Sequence, residues 1–127
     1  MKIAVISDIH DHVWNLQAAL KSIQEAEMLI CLGDLCSPFI VGLLGSGFAG
    51  RPIYLLFGNN DGDTFRITRN AANFPDIEIC AEFLEIEQDG RKLAAVHYDN
   101  IARAMSEGGR YDAVFYGHNH RFDIHKT

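Results

Sequence analysis

The chain is 127 residues long, enough for one hydrophobic core and too short for two ordinary domains. With 48% hydrophobic and 22% charged residues, and no like-charge block or low-complexity tract, it is excluded from the disordered class. A formal net charge of −6 argues against extended nucleic-acid binding, which needs a surplus of Lys and Arg, but leaves a small phosphorylated substrate compatible because bound cations can supply positive charge locally.

Ile3–Ile6 is a continuous β-prone run without alternation, which predicts a central strand covered on both faces. It ends at Ser7-Asp8-Ile9-His10, a loop offering a carboxylate and an imidazole. Over residues 13–26 the apolar side chains Leu16, Ala19, Leu20 and Ile23 recur at helical spacing, opposite Lys21, Gln24 and Glu25. Residues 28–32 repeat the apolar run and stop at Gly33-Asp34, and a short helix over 39–44 is then broken by Gly45 and Gly47. Residues 53–57 form a third run, stopping at Gly58-Asn59-Asn60-Asp61, with a more polar helix following through Ala72. This βαβαβα order predicts a parallel sheet.

The pattern then changes. Residues 82–87 and 92–96 flank Asp89-Gly90, a hairpin signal, so an antiparallel section is expected there, with His97 ending its second strand. A short helix over 101–105 and a strand over 113–116 follow, the latter ending at Gly117-His118-Asn119-His120, and residues 122–125 read as the start of one more strand.

The three cysteines, Cys31, Cys36 and Cys80, are odd in number and lack metal-pair spacing, which fits a reducing compartment and buried apolar thiols. The opening apolar run is too short for a signal-peptide core. The longest uncharged stretch, 35–50, falls short of the roughly 20 apolar residues of a spanning helix and contains Pro38 and four glycines. A cytoplasmic protein without a membrane partner is expected.

Every candidate ligand lies just after a strand-like run, and loops following parallel strands converge on one crevice, so Asp8, His10, Asp34 and Asn59 are expected to meet. Carboxylate, imidazole and amide oxygen together suit divalent ions of the Mn²⁺ or Fe²⁺ kind, whereas structural zinc favours thiolates. Two such ions roughly 3.5 to 4 Å apart can bind a phosphate's oxygens and lower the pKa of a bound water. Each motif alone reads as an ordinary turn. The ordered set, which takes up four of the six histidines, carries the metal reading.

On AspIleHis at 8–10, GlyAsp at 33–34, GlyAsnAsnAsp at 58–61, His97 and GlyHisAsnHis at 117–120, the chain resembles the calcineurin-like metallophosphoesterases over nearly its whole length. It is most similar to their short archaeal and bacterial phosphodiesterases. The resemblance implies a single α/β domain over 1–127, a two-sheet β-sandwich flanked by helices of the metallo-dependent phosphatase type. It implies that Asp8, His10 and His120 hold one metal, that Asn59, His97 and His118 hold the other, and that Asp34 bridges them. Two divalent ions are the implied cofactors, Mn²⁺ before Fe²⁺, Ni²⁺ or Zn²⁺. A small phosphodiester is the implied substrate, attacked in line by a metal-bound hydroxide.

The sequence also departs from the family. Many members have His where Asn60 stands, and an amide cannot protonate a leaving oxygen. Asn60 is therefore expected to orient the phosphate or leaving group, favouring activated diesters over alkyl monoesters. His12 can replace the missing acid if it faces the crevice, but reads more simply as a solvent-facing loop residue, and His125 reads as exposed. Tyr98 stands where relatives commonly have Gly, with packing and phosphate contact equally open as roles. Arg66, Arg69 and Arg121 are candidates for gripping a substrate's far phosphate.

Relatives continue past this point with further strands, whereas this chain stops seven residues after His120. The expectation is a domain shortened at its C-terminus, its final strands missing, with an open sheet edge through which a homo-oligomer could pair. The rival reading is a scaffold for protein–protein interaction with weak or lost catalysis, for which the retromer subunit resembling this family is a precedent. An apolar surface over 35–48 would favour that scaffold, and the seven intact ligands oppose it. A specific phosphomonoesterase is disfavoured by the absent general acid.

Overall fold

Four apolar runs lie side by side as parallel strands in the computed structural model, which describes residues 1–126. They are β1 (Ile3–Ile6), β2 (Met28–Cys31), β3 (Ile53–Leu55) and β4 (Ile77–Ile79), in the order β1-β2-β3-β4. The helices α1 (Val13–Ser22), α2 (Ile40–Gly47) and α3 (Thr64–Ala71) make the crossovers. Their apolar stripes cover one face of the sheet, where Leu16, Leu20, Val41, Leu44 and Ile67 meet Leu29, Cys31, Ile53 and Leu55. The alternate residues Met28, Ile30, Leu32 and Leu56 point to the other face, against Leu84 and Ala95 of a second sheet. Both faces are therefore buried, which is why β2 carries no polar residue. Each large side chain so buried contributes about 1.5 to 3 kcal/mol.

The second sheet has the order β5-β6-β7, with β5 (Phe83–Gln88), β6 (Arg91–Val96) and β7 (Ala113–Phe115). β5 and β6 are antiparallel, registered Phe83 to Val96 through Gln88 to Arg91. Their turn holds Asp89 at φ 52° and Gly90 at φ 77°, the double left-handed geometry of a type I′ hairpin. α4 (Asp99–Glu107) then crosses over and packs on β6 and β7, burying Ala102.

Several sequence expectations need correction. β1 is an edge strand rather than a central one, although its two faces are still covered, Ala4 and Ile6 by the helices and Ile3 and Val5 by the second sheet. α1 ends at Ser22, not at Ala26. α2 runs on through Gly45, whose missing side chain makes room for the Phe74 ring. β4 has no counterpart in the sequence reading, and the antiparallel section is mixed because β7 pairs parallel to β6. Residues 122–126 form no strand, leaving Phe122 and Ile124 exposed. Among the described residues β7 is paired on one side only, and no helix is long and apolar enough to cross a membrane.

Candidate metal centre

The loops that follow β1, β2, β3, β6 and β7 converge, bringing every sequence-predicted ligand to one end of the two sheets. The backbone turns sharply to do so: Asp8, His10, Asp34, His118 and His120 all have positive φ, between 47° and 70°. Residues with a side chain rarely adopt this conformation, and it persists only where the surroundings enforce it. Here Asp8 N–H donates to the Gly33 carbonyl at 3.0 Å and His10 N–H to the Asp34 carbonyl at 2.9 Å, zipping the first two loops together.

Asp34 is 1% exposed and sits in the middle. Its Oδ2 lies 3.2 Å from His10 Nε2 and 3.5 Å from His97 Nε2, so one carboxylate faces both sides of the cluster. Asp8 Oδ1 lies 3.2 Å from His120 Nε2 and 3.5 Å from His10 Nε2. The ligand atoms of Asp8, His10, Asp34 and His120 all fall within 4.8 Å of one another. Two of them, Asp8 Oδ1 and His10 Nε2, are buried without a hydrogen-bond partner. Burying unpaired polar atoms beside each other is costly, and a cation between them removes the cost, so this donor set fits a divalent ion.

On the other side, Asn59 Oδ1 lies 3.1 Å from His97 Nε2 and 3.2 Å from His118 Nδ1. The buried His97 ring is oriented by its Nδ1–H, which donates to the Leu32 carbonyl at 2.8 Å and leaves Nε2 as a lone pair. An imidazole lone pair and an amide oxygen at this separation need a shared proton or a shared cation. The second cluster thus also fits a metal, with Asp34 common to both.

The surrounding residues hold these ligands in place. Ser7 Oγ at 2.7 Å and His118 N–H at 2.9 Å both donate to Asp8 Oδ2. Burial alone would raise the Asp8 carboxyl, but those two bonds and the His97 and His120 imidazoles outweigh it and hold the group below its ordinary value. Gly117 approaches so closely that a side chain there would collide with Ser7 Oγ and Asp8 Oδ2, and one at Gly58 would collide with Asp34 and His97. Asp61, which the sequence shows only as part of a turn, is buried and accepts three backbone N–H groups: Asp34 at 2.7 Å, Gly58 at 2.8 Å and Cys36 at 3.0 Å. It ties the second and third loops together. An Asp after two Asn residues carries no signal that separates this role from a solvated turn.

Asn60 turns onto the central carboxylate, its backbone N–H donating to Asp34 Oδ1 at 2.9 Å and its Nδ2 to Asp34 Oδ2 at 3.0 Å. Tyr98 packs edge-on to the His97 and His118 rings, with centroids 5.1 and 4.9 Å away. Cys36 Sγ lies 3.6 Å from His10 Nδ1, so a thiol does touch this site, on the ring nitrogen facing away from the cluster. Burial, reinforced by the surrounding carboxylates, pushes that thiol up and keeps it a neutral partner. His12 is exposed just before α1 and borders a groove with Ser7, Asp8 and Asn15. Arg66, Arg69, Arg121 and His125 are exposed and outside the cluster. A groove of about 750 Å³ lies elsewhere, along α4 and β7.

A family model, that of the calcineurin-like phosphoesterase superfamily domain, matches residues 1–127. A curated phosphodiesterase of Methanocaldococcus jannaschii is 30% identical over 124 residues, 94% of this chain and 74% of the relative. A solved archaeal phosphodiesterase superposes with a TM-score of 0.88 and 27% identity, over 100% of this chain and 78% of its own. The vacuolar protein sorting 29 structure of Cryptosporidium parvum, 14% identical, superposes with a TM-score of 0.67 over 98% of this chain and 68% of its own, a likeness of fold alone.

Proposed function

The chain belongs to the calcineurin-like phosphoesterase superfamily, and from that premise we propose that it is a phosphodiesterase acting on small phosphodiesters through a dinuclear metal centre. Asp8, His10 and His120 would hold one ion, Asn59, His97 and His118 the second, and Asp34 would bridge them. Mn²⁺ is the first choice for both, given the oxygen and nitrogen donors. Two such ions, if bound, would supply Lewis-acid stabilisation of the developing charge and lower the pKa of a water nucleophile toward neutral pH.

The observation that carries the reading is the pair of buried, unpartnered atoms, Asp8 Oδ1 and His10 Nε2, beside an Asp34 carboxylate that faces both His10 and His97. The chain's own part is positioning. Ser7 and the His118 N–H keep Asp8 ionised, Leu32 fixes the His97 tautomer, and Asn60 fixes the Asp34 carboxylate. The Asn60 amide cannot protonate a leaving oxygen near neutral pH, so leaving groups that need no proton suit this site best.

The scaffold reading loses its main sign. In the stretch 35–48, Leu35, Ile40, Val41, Leu44 and Phe48 are buried in the core, with Phe39 the large apolar side chain left exposed. Three free cysteines, with Cys31 wholly buried, support work in a reducing cytoplasm. One side of β7 is unpaired among the described residues, which supports pairing with a second copy there.

The test is hydrolysis of bis(p-nitrophenyl) phosphate by metal-stripped protein, with and without added Mn²⁺, beside Asp34→Asn. Turnover should require metal and fall in the variant by more than the roughly 10- to 100-fold cost of losing an outer-shell partner. Metal-independent turnover, or a variant as active as the parent, would end the two-metal reading.

A further inference from the structure

A second open groove, about 730 Å³, is lined by Phe39 and Pro38 on one wall and by Asp63, Phe65, Arg66 and Arg69 on the other. Both walls grow out of the metal-site loops. Phe39 lies five residues beyond Asp34, and Phe65 five beyond Asn60, so each wall begins within roughly 18 Å of chain from a metal-facing residue.

The two walls are also fastened together. Asn70 Nδ2 donates to the Pro38 carbonyl at 3.1 Å, joining α3 to the residues ahead of α2. Ser37 donates to Asp11 through its N–H at 2.8 Å and its hydroxyl at 2.6 Å, anchoring the Phe39 wall to the loop that carries His10. Asp63 accepts the Arg66 N–H at 3.1 Å and sits 3.6 Å from Arg66 Nε. The Arg69 guanidinium makes no ion pair among the described residues.

The chemistry of the groove is unusual for this chain. Phe39 is 55% and Phe65 70% exposed, two aromatic rings open to solvent in one groove. Arg66 and Arg69 stand one helical turn apart on α3, in a protein whose net charge is −6. Exposed aromatic faces are stacking platforms for a planar base, and guanidinium forks match phosphate oxygens. A plain peptide groove would not need paired arginines, and a simple phosphate site would not need two exposed rings.

Resting on the phosphodiesterase reading, we propose that this groove selects nucleotidyl phosphodiesters, stacking a nucleobase against Phe65 and Phe39 while Arg66 and Arg69 grip a second, non-reacting phosphate. The reacting phosphate lies at the metal centre. Two neighbouring phosphates and one base, the unit of a short oligonucleotide, span the site.

The test reads binding, so it does not depend on turnover. Titration calorimetry on Mn²⁺-loaded protein compares thymidine 3′,5′-bisphosphate, thymidine 5′-monophosphate and inorganic phosphate. The wild type should bind the monophosphate about tenfold more tightly than inorganic phosphate, the size expected of one stacked base, and the bisphosphate more tightly again. Phe65→Ala should remove the gain due to the base, and Arg69→Gln the gain due to the second phosphate. If the wild type holds all three ligands equally, or if both variants keep the wild-type ratios, the groove does not recognise nucleotides. If the ratios behave as expected while bis(p-nitrophenyl) phosphate is not hydrolysed, the groove stands and the catalytic reading falls.

Discussion

Replacing Asp61 with Ala should be the most damaging change outside the ligands themselves. Its two oxygens accept the backbone N–H groups of Asp34, Gly58 and Cys36 in a setting where the residue is 5% exposed. A buried donor left without a partner costs about 1 to 3 kcal/mol. A water entering the vacated space can satisfy one or two of the three, which leaves one or two unpaired and an expected loss of about 1 to 6 kcal/mol. Against a typical total of about 5 to 15 kcal/mol, that is a large share of the stability. Asp61→Asn should be milder. With its oxygen placed where Oδ2 was, it still accepts from Asp34 and Gly58, and only its NH₂ opposes the Cys36 N–H, for about 1 to 2 kcal/mol. Urea unfolding followed by circular dichroism, with metal removed by chelation so that ligand binding does not enter, measures both. An Asp61→Ala protein within 1 kcal/mol of the parent, or an Asn variant as weak as the Ala variant, would refute the account of this carboxylate as the tie between loops.

Three further outcomes are expected. The Asp8 carboxyl is held below its ordinary value, so the stability it contributes is present above the unfolded value near pH ~3.9 and is lost as pH falls through the folded one. In metal-free protein the advantage of the parent over Asp8→Asn should therefore shrink in acid, and an advantage that stays constant down to pH ~3 contradicts the assignment. Cys31 is wholly buried while Cys36 and Cys80 are part-exposed, so iodoacetamide should label Cys36 and Cys80 in native protein, slowly because burial also raises both thiols, Cys80 to about 11, and reach Cys31 only after unfolding, as mass spectrometry can read. Asn60→His should speed hydrolysis of esters with poor leaving groups relative to p-nitrophenolate esters, by on the order of 10²-fold if the new imidazole reaches the leaving oxygen; an unchanged ratio removes the missing acid as the cause of any such preference.

The first three strands and their ligand loops were legible because each is an uninterrupted apolar run that stops at a polar motif. β4 was not, since Ile77, Glu78 and Ile79 make a run of three at a sheet edge, too short to stand out from a loop. Burial on both faces reads the same at an edge as in the middle, which is why β1 was misplaced. The direction of β7 depends on the α4 crossover and leaves no mark in the sequence of Ala113–Phe115. Phe122, Asp123, Ile124 and His125 alternate like a strand, but no neighbour pairs with them, and alternation without a partner does not make a sheet. The candidate ligands could be gathered from the chain by type and order. What orients them could not, because Leu32 acts on His97 through a carbonyl that every residue possesses, and Asp61 acts through backbone N–H groups.

The left-handed backbone at Asp8, His10, Asp34 and His118 is fixed by hydrogen bonds between neighbouring loops. The cost of that geometry is met when the sheets assemble, not when an ion arrives. Metal capture in this protein is then a docking step rather than a folding step, in contrast to small zinc domains that are unstructured until loaded. Apo and loaded forms should give superimposable far-ultraviolet spectra, and uptake should proceed with little change in heat capacity, because capture by side chains already gathered buries little further apolar surface.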